Sequence, residues 1–196
     1  RPKELTRTWN NATMTPADRQ AVVALLARSR DEAGRSYLER VREGGLLRKT
    51  KVTLQGRKWR PTALLLLPDG SLLAGYFTKL HKISTESRGM HVSTMAGDGK
   101  EGHRDGPAAH AQFSGVSDLL LLPDGRVLVA DTDNHRIRML SAEAGGMHVS
   151  TMAGDGEDGH RDGAAAQAQF RHPRSLALLP DGRVLVTDWG DHRIRL

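Results

Sequence analysis

The sequence predicts an all-β fold: an incomplete β-propeller of about three four-stranded blades, with an N-terminal α-helical extension in front of it. Three observations predict this: a long internal repeat, strand and turn signals at fixed places inside each repeat, and a break in charge near residue 60. Residues 148–196 repeat residues 91–139 at an offset of 57 without a gap, so that Asp124 falls on Asp181 and Phe113 on Phe170. A weaker copy, Ala63–Gly75, stands about 55 residues before its counterpart. Residues 1–60 hold 15 Lys and Arg against 6 Asp and Glu, a balance of +9, whereas residues 61–196 hold 14 against 17, a balance of −3, together with all nine histidines.

The extension covers residues 1–49 and the repeats residues 50–196. Thr15-Pro16-Ala17-Asp18 reads as a helix start, with a capping hydroxyl, a proline at the first helical position and an early acid. Val22, Leu26, Ala33, Tyr37 and Val41 then recur on one helical face until Gly44-Gly45 ends it, with Gly34 as a break between two helices. Arg48, Lys49 and Lys51, then Arg57, Lys58 and Arg60 around Trp59, form a basic cluster at the junction.

Blades are expected at about 62–95, 116–152 and 173–196. In each, an aliphatic run such as Leu119–Leu122 or Leu176–Leu179 stops at Pro-Asp-Gly and a second apolar run follows at once, which makes a tight hairpin. The segment after it alternates with period two, placing Ile137 and Met139 on one face and Arg136 and Arg138 on a wet one. A fourth run, His91–Met95, ends at Ala96-Gly97, before a loop too rich in glycine and charge for a helix. The third blade has three strands, and Lys51–Leu54, within a segment that resembles Val-Ser-Thr-Met-Ala-Gly, is the candidate for the fourth. Three blades do not close a ring of the usual four to eight. The chain is then a fragment of a longer propeller, an assembling copy, or a subunit whose ends another protein covers.

The absence of cysteine excludes disulfides, thiolate zinc sites, iron–sulfur clusters and a cysteine nucleophile. The longest aliphatic run, Ala63–Leu67, is five residues, against the roughly 18–20 of a membrane span, so a soluble protein is expected. The chain begins at Arg1, so a targeting segment is expected to be missing from it, and the compartment, cytoplasmic or organellar, is not read from the sequence. Gly97–Gly102 and Gly154–Gly159 match the dinucleotide glycine pattern, yet no apolar helix follows either, and nearby acids would repel phosphate. The candidate metal ligands are His103 and His160 with Asp105 and Asp162 in these loops. Their recurrence at one blade position argues that they serve the repeat, and no metal or other cofactor is expected. Asp131 and Asp188, with Arg136 and Arg193, read as ion-pair and hydrogen-bonding staples of the turn.

The pattern VSTMAGDGxxGHRDGxxAxAQF followed by LLPDGRVLVADTDNHRIR resembles the NHL repeat over roughly residues 50–196. The motif behind that name is represented by Asn134-His135-Arg136 and, in the last copy, by Asp191-His192-Arg193. The first copy departs from it: Tyr76 stands where Asp131 and Asp188 stand, and Leu80-His81-Lys82 replaces the motif. The resemblance implies a β-propeller. It also implies two alternatives, since some NHL-type propellers are lyases that hold zinc with channel histidines, and others bind RNA on a basic face. The acidic balance of the repeats disfavours nucleic acid. The expectation is a non-enzymatic interaction or assembly module, partnered by protein subunits or further blades at its open ends, with an acidic partner for the N-terminal region.

Overall fold

The computed structural model describes residues 61–86 and 89–196. The expected N-terminal helices, the strand at Lys51–Leu54, the basic residues Arg48, Lys49, Lys51, Arg57, Lys58 and Arg60, and Trp59 lie outside the described residues.

Blade one is the antiparallel sheet β1 (Ala63–Leu66), β2 (Leu72–Gly75), β3 (Leu80–Glu86) and β4 (Gly89–Ala96), in that order. A two-residue strand β5 (Gly106–Pro107) leads into blade two, which is β6 (Val116–Leu121), β7 (Val127–Asp131), β8 (Arg136–Glu143) and β9 (Gly146–Ala153), with β5 on the outer edge of β9. Blade three has β10 (Pro173–Leu178), β11 (Val184–Asp188) and β12 (Arg193–Arg195). Among the described residues there is no α-helix, only single 3-10 turns, and none of their helices is long and apolar enough to cross a membrane.

The Pro-Asp-Gly turns close each hairpin in the same way. Leu122 N–H donates to Arg126 O at 2.8 Å and Leu179 N–H to Arg183 O at 2.8 Å, while Gly125 and Gly182 take the positive φ that a side chain resists. The inner strands β1, β6 and β10 are neighbours, so successive blades lie side by side. They are tied by Thr62 Oγ1 to Val116 O at 2.5 Å, Ser117 Oγ to Arg174 O at 2.8 Å and Thr132 Oγ1 to Pro173 O at 2.7 Å.

Period two gives each blade a front and a rear apolar face. Leu65, Leu73 and Leu80 of blade one pack against Leu119, Val127 and Val149 of blade two, and Leu128 and Ile137 of blade two pack against Leu176 and Val186 of blade three. Phe113 and Phe170, from the preceding loops, fill the two seams. The wet face expected for β8 is a correction: Arg138, beside Ile137, is fully buried, because carboxylates and carbonyls collect around its guanidinium.

Candidate functional site

The repeat motif sits where the chain leaves β7, makes one 3-10 turn at Thr132–Asn134 and returns in β8. His135 ends the turn in the left-handed conformation at φ 55°, as His192 does in blade three. Histidine tolerates this region better than branched residues do. The turn aims two side chains inward. Asp131 accepts Ser114 N–H at 2.8 Å, Asn134 Nδ2 at 2.9 Å and Arg138 Nη1 at 2.7 Å. Burial pushes the Asp131 carboxyl up, and these three donors oppose it.

Arg138 uses every N–H of its fork. It donates to Asp131, to Gln112 O at 3.0 Å, to Arg104 O at 3.0 Å and twice to Asp105, at 2.5 and 3.1 Å, with its guanidinium 5.4 Å from the Phe113 ring centre. Asp105 in turn accepts the backbone N–H of Thr151 at 3.0 Å and its hydroxyl at 3.3 Å. Burial alone would raise Asp105, but Arg138 and Thr151 outweigh it and hold the carboxyl below its usual value. The result is a clamp that ties the long inter-blade loop to its own blade.

Blade three repeats the clamp with Asp188, Arg195 and Asp162. Asp188 accepts Arg171 N–H at 2.6 Å and Arg195 Nη1 at 3.2 Å, and Arg195 reaches Asp162 at 2.5 Å. Blade one has no such clamp among the described residues. Its turn is two residues shorter, and Leu80 pairs with Ala96 as Ile137 pairs with Ala153, so Leu80-His81 corresponds to Ile137-Arg138. The motif is therefore deleted in this copy instead of being replaced by Leu80-His81-Lys82. Tyr76 meets the ring of His81 edge-on at 5.1 Å, where the other blades have Asp and Arg.

The expected staples form with different partners. Asp131 and Asp188 pair with Arg138 and Arg195, one turn of the strand further on than Arg136 and Arg193. Arg136 donates instead to Asn134 O at 3.1 Å and Asp155 O at 2.6 Å, and Arg193 pairs with Asp191 at 2.9 Å. Sequence reasoning passed over Arg138 and Arg195 because alternation put them on a wet face. Their recurrence at the same offset as Arg136 and Arg193 was the available signal.

His103 and His160 are exposed, and His160 stands 3.8 Å from Asp191. Asp105 and Asp162 are held by the clamp arginines, and among the described residues no three His, Asp or Glu side chains converge to metal-ligand geometry. His135 Nδ1 accepts the backbone N–H of His172 at 3.2 Å across the seam; burial and the neighbouring His172 hold its pKa down. The glycine-rich loops pack against the turn of the same blade: a Cβ at Gly154 would lie 2.5 Å from His135 O, so this glycine is required by close approach, with no phosphate needed to explain it.

The two complete motif copies differ at one atom. Asn134 Nδ2 donates to Gly102 O at 2.7 Å, while Asp191, in its place, has no hydrogen to offer Gly159. An open cleft of about 520 Å³ lies there, lined by Asp158, His160, Arg161, Arg171 and Asp191. Its arginines are paired, Arg161 with Asp155 and Arg171 with Asp158.

The NHL repeat family matches at residues 113–139 and 170–195, which span the Phe, the Pro-Asp-Gly hairpin and the motif turn of each later blade. The chain is 33% identical over 96 residues to the chloroplastic protein SUPPRESSOR OF QUENCHING 1 of Arabidopsis thaliana, covering 49% of this chain and 9% of that relative. Among solved structures, an auxiliary nutrient binding protein from Bacteroides ovatus matches with a TM-score of 0.60 at 22% identity over 67% of this chain and 35% of its own. A second, from Bacteroides thetaiotaomicron, matches with a TM-score of 0.58 at 19% identity over the same shares, 67% and 35%. At these identities the likeness is one of fold, and the chain spans about a third of each of those structures. The chain thus carries two segments that match the NHL repeat, at residues 113–139 and 170–195, and is folded as consecutive blades of a β-propeller.

Proposed function

We propose that this chain works as a non-enzymatic interaction or assembly module built on NHL repeats, as a subunit or fragment of a larger assembly. The observation that carries this reading is the state of its two ends. Leu64 and Leu66 on blade one are 60% and 53% exposed, and Ile194 and Leu196 on blade three 70% and 67%. Apolar groups gathered this way on a soluble surface mark contact sites. The charged residues of the motif support the same reading, since Asp131, Arg138, Asp105 and their counterparts hold the loops and leave no free nucleophile–base pair in the clamps. Further blades or other protein subunits cover the ends in the working state. The basic residues Arg48, Lys49, Lys51, Arg57, Lys58 and Arg60 dock an acidic partner.

The test is native mass with light scattering on material from its own source. The reading expects a particle larger than 21.4 kDa, and a stable, non-aggregating monomer of 21.4 kDa overturns it. Neutralising Arg57, Lys58 and Arg60 should weaken association and flatten its salt dependence. An unaltered salt series removes the basic segment from the mechanism. Elemental analysis should find below about 0.2 equivalents of zinc or calcium, and a stoichiometric ion would favour a metal-dependent enzyme instead.

A further inference from the structure

Gly115 and His172 hold the same place in successive repeats, just before β6 and β10, and both have positive φ, 74° and 55°. Their carbonyls do the same work inside the blade: Gly115 O accepts Thr132 N–H and His172 O accepts Trp189 N–H, each at 3.3 Å. Their amides, which cross the seams, differ. Gly115 N–H donates to Phe77 O of blade one at 2.9 Å, whereas His172 N–H donates to His135 Nδ1 of blade two at 3.2 Å. The motif turn is the reason. The short turn of blade one offers a backbone carbonyl, while the full turn of blade two ends in left-handed His135 and offers an imidazole. One seam is held by an acceptor that does not titrate near neutrality, and the other by one that does.

Accepting at Nδ1 requires a neutral His135 ring with its hydrogen on Nε2. A proton added at Nδ1 would point at the His172 N–H, donor against donor, and the bond would be lost. The charges that reach His135 come from four places: His172 in the lead-in to β10, Asp158 in the glycine-rich loop, Asp188 at the end of β11, and Asp133 in its own turn. The acids already have partners: Asp158 pairs with Arg171, Asp188 with Arg195, and Asp133 lies 3.6 Å from His172 Nδ1. The two imidazole rings are 4.7 Å apart between centres, so two imidazolium ions there would repel. Burial first, and then His172, hold the His135 ring below its ordinary 6.5 against the pull of the three acids. A group so shifted takes up its proton more readily once its surroundings open, so acid favours the opened seam.

We propose that the seam between blades two and three is a proton-operated joint: protonation of His135 releases the His172 backbone N–H and loosens blade three against blade two, while the seam between blades one and two keeps its hold. The loosening is confined to the rim. Ser117 Oγ still donates to Arg174 O at 2.8 Å, Asp118 still accepts Leu176 N–H at 2.7 Å, and the packing of Leu128 and Ile137 against Leu176 and Val186 is apolar.

Amide exchange of the full chain followed by NMR tests this, because the Gly115 amide is a control within the same molecule. Between about pH 7.5 and about pH 5, protection of the His172 amide, after division by its intrinsic rate, should fall about tenfold relative to that of Gly115. In His135→Asn the side-chain oxygen replaces Nδ1 as an acceptor that does not titrate, and asparagine tolerates positive φ. That variant should keep the ratio constant with pH. A constant ratio in the wild type overturns the proposal, and so does a wild-type pH response retained in His135→Asn, which would assign it to His172 or Asp188. The wild-type ring gives a second reading that needs no variant. Its nitrogen shifts should show hydrogen on Nε2 at about pH 7.5 and half-titration below the ordinary 6.5. Hydrogen on Nδ1, or half-titration at or above that value, overturns the joint.

Discussion

Asn134 and Asp191 fill the same position in consecutive motif turns, and a single amide separates what they can do. Asn134 donates to Asp131 and to Gly102 O, so it satisfies a carboxylate and a loop carbonyl together. Asp191 adds a second negative charge beside Asp188, which raises that carboxyl further, although burial is the larger cause. Replacing Asp191 by Asn should therefore stabilise the protein, by about 1–2 kcal/mol if both hydrogen bonds form. Asn134→Asp should destabilise by at least as much, since the new charge would face Asp131. Urea unfolding of the two variants checks this. A neutral or harmful Asp191→Asn would show that the contact with Arg193 outweighs the lost amide. Arg138 is the other residue where one atom group decides a great deal. Removing it leaves Asp131 buried and unpaired, so Arg138→Met should cost about 3–5 kcal/mol. Arg195→Met should cost less, because Asp162 is 89% exposed where Asp105 is 44%.

Single turns and strands set the local stabilities. In the Pro68–Ser71 turn, the side-chain hydrogen bond from Lys82 and that from Ser71 lower the Asp69 carboxyl to about 2. Its charged form is favoured in the folded state, so this stabilisation is present above the ordinary value of 3.8 and is lost as pH falls through about 2. Asp69 is half-exposed and solvent screens the pair, so the effect is a few tenths of a kcal/mol. Melting curves between pH 2 and 6 should show a slightly shallower acid loss for Asp69→Asn, and an identical slope would remove the turn from the acid response. Among strands, β7 is buried along its length and paired on both sides, whereas β12 is paired only with β11. Amide exchange should be slowest in β7 and fastest in β12. Equal protection in the two would mean that something already covers the outer edge of blade three. The seams also show compensation between copies. Blade two sets Gly115, at φ 74°, under the side chain of Asp133, whereas in blade three Gly190 stands in the place of Asp133 and the Arg171 side chain lies against it.

For the whole molecule, stability and association are linked if the two ends meet a partner. A ligand that binds only the folded state raises the melting temperature by mass action, and a second copy does so through protein concentration. The midpoint should rise when the native partner is added, and a midpoint that the partner leaves unmoved would contradict the interaction-module reading.

Much of the architecture was legible because it rests on local rules. Pro-Asp-Gly forces a reversal wherever it occurs, aliphatic runs of five or six residues on either side suit paired strands, and the 57-residue offset shows that the unit recurs. The clamp was not legible. Period two says that Ile137 and Arg138 face opposite ways, but both faces of a blade are covered by its neighbours, so opposite to apolar does not mean wet. Which arginine meets Asp131, and that Asp105 comes back from a loop 33 residues away to meet the same guanidinium, depends on how that loop folds over the blade. The sequence by itself determined the repeat, the turns and the strands, because these are contacts between near neighbours in the chain. Only the tertiary structure decided the burial of Arg138 and the deletion of the motif in blade one, because each depends on surfaces brought together from distant parts of the chain.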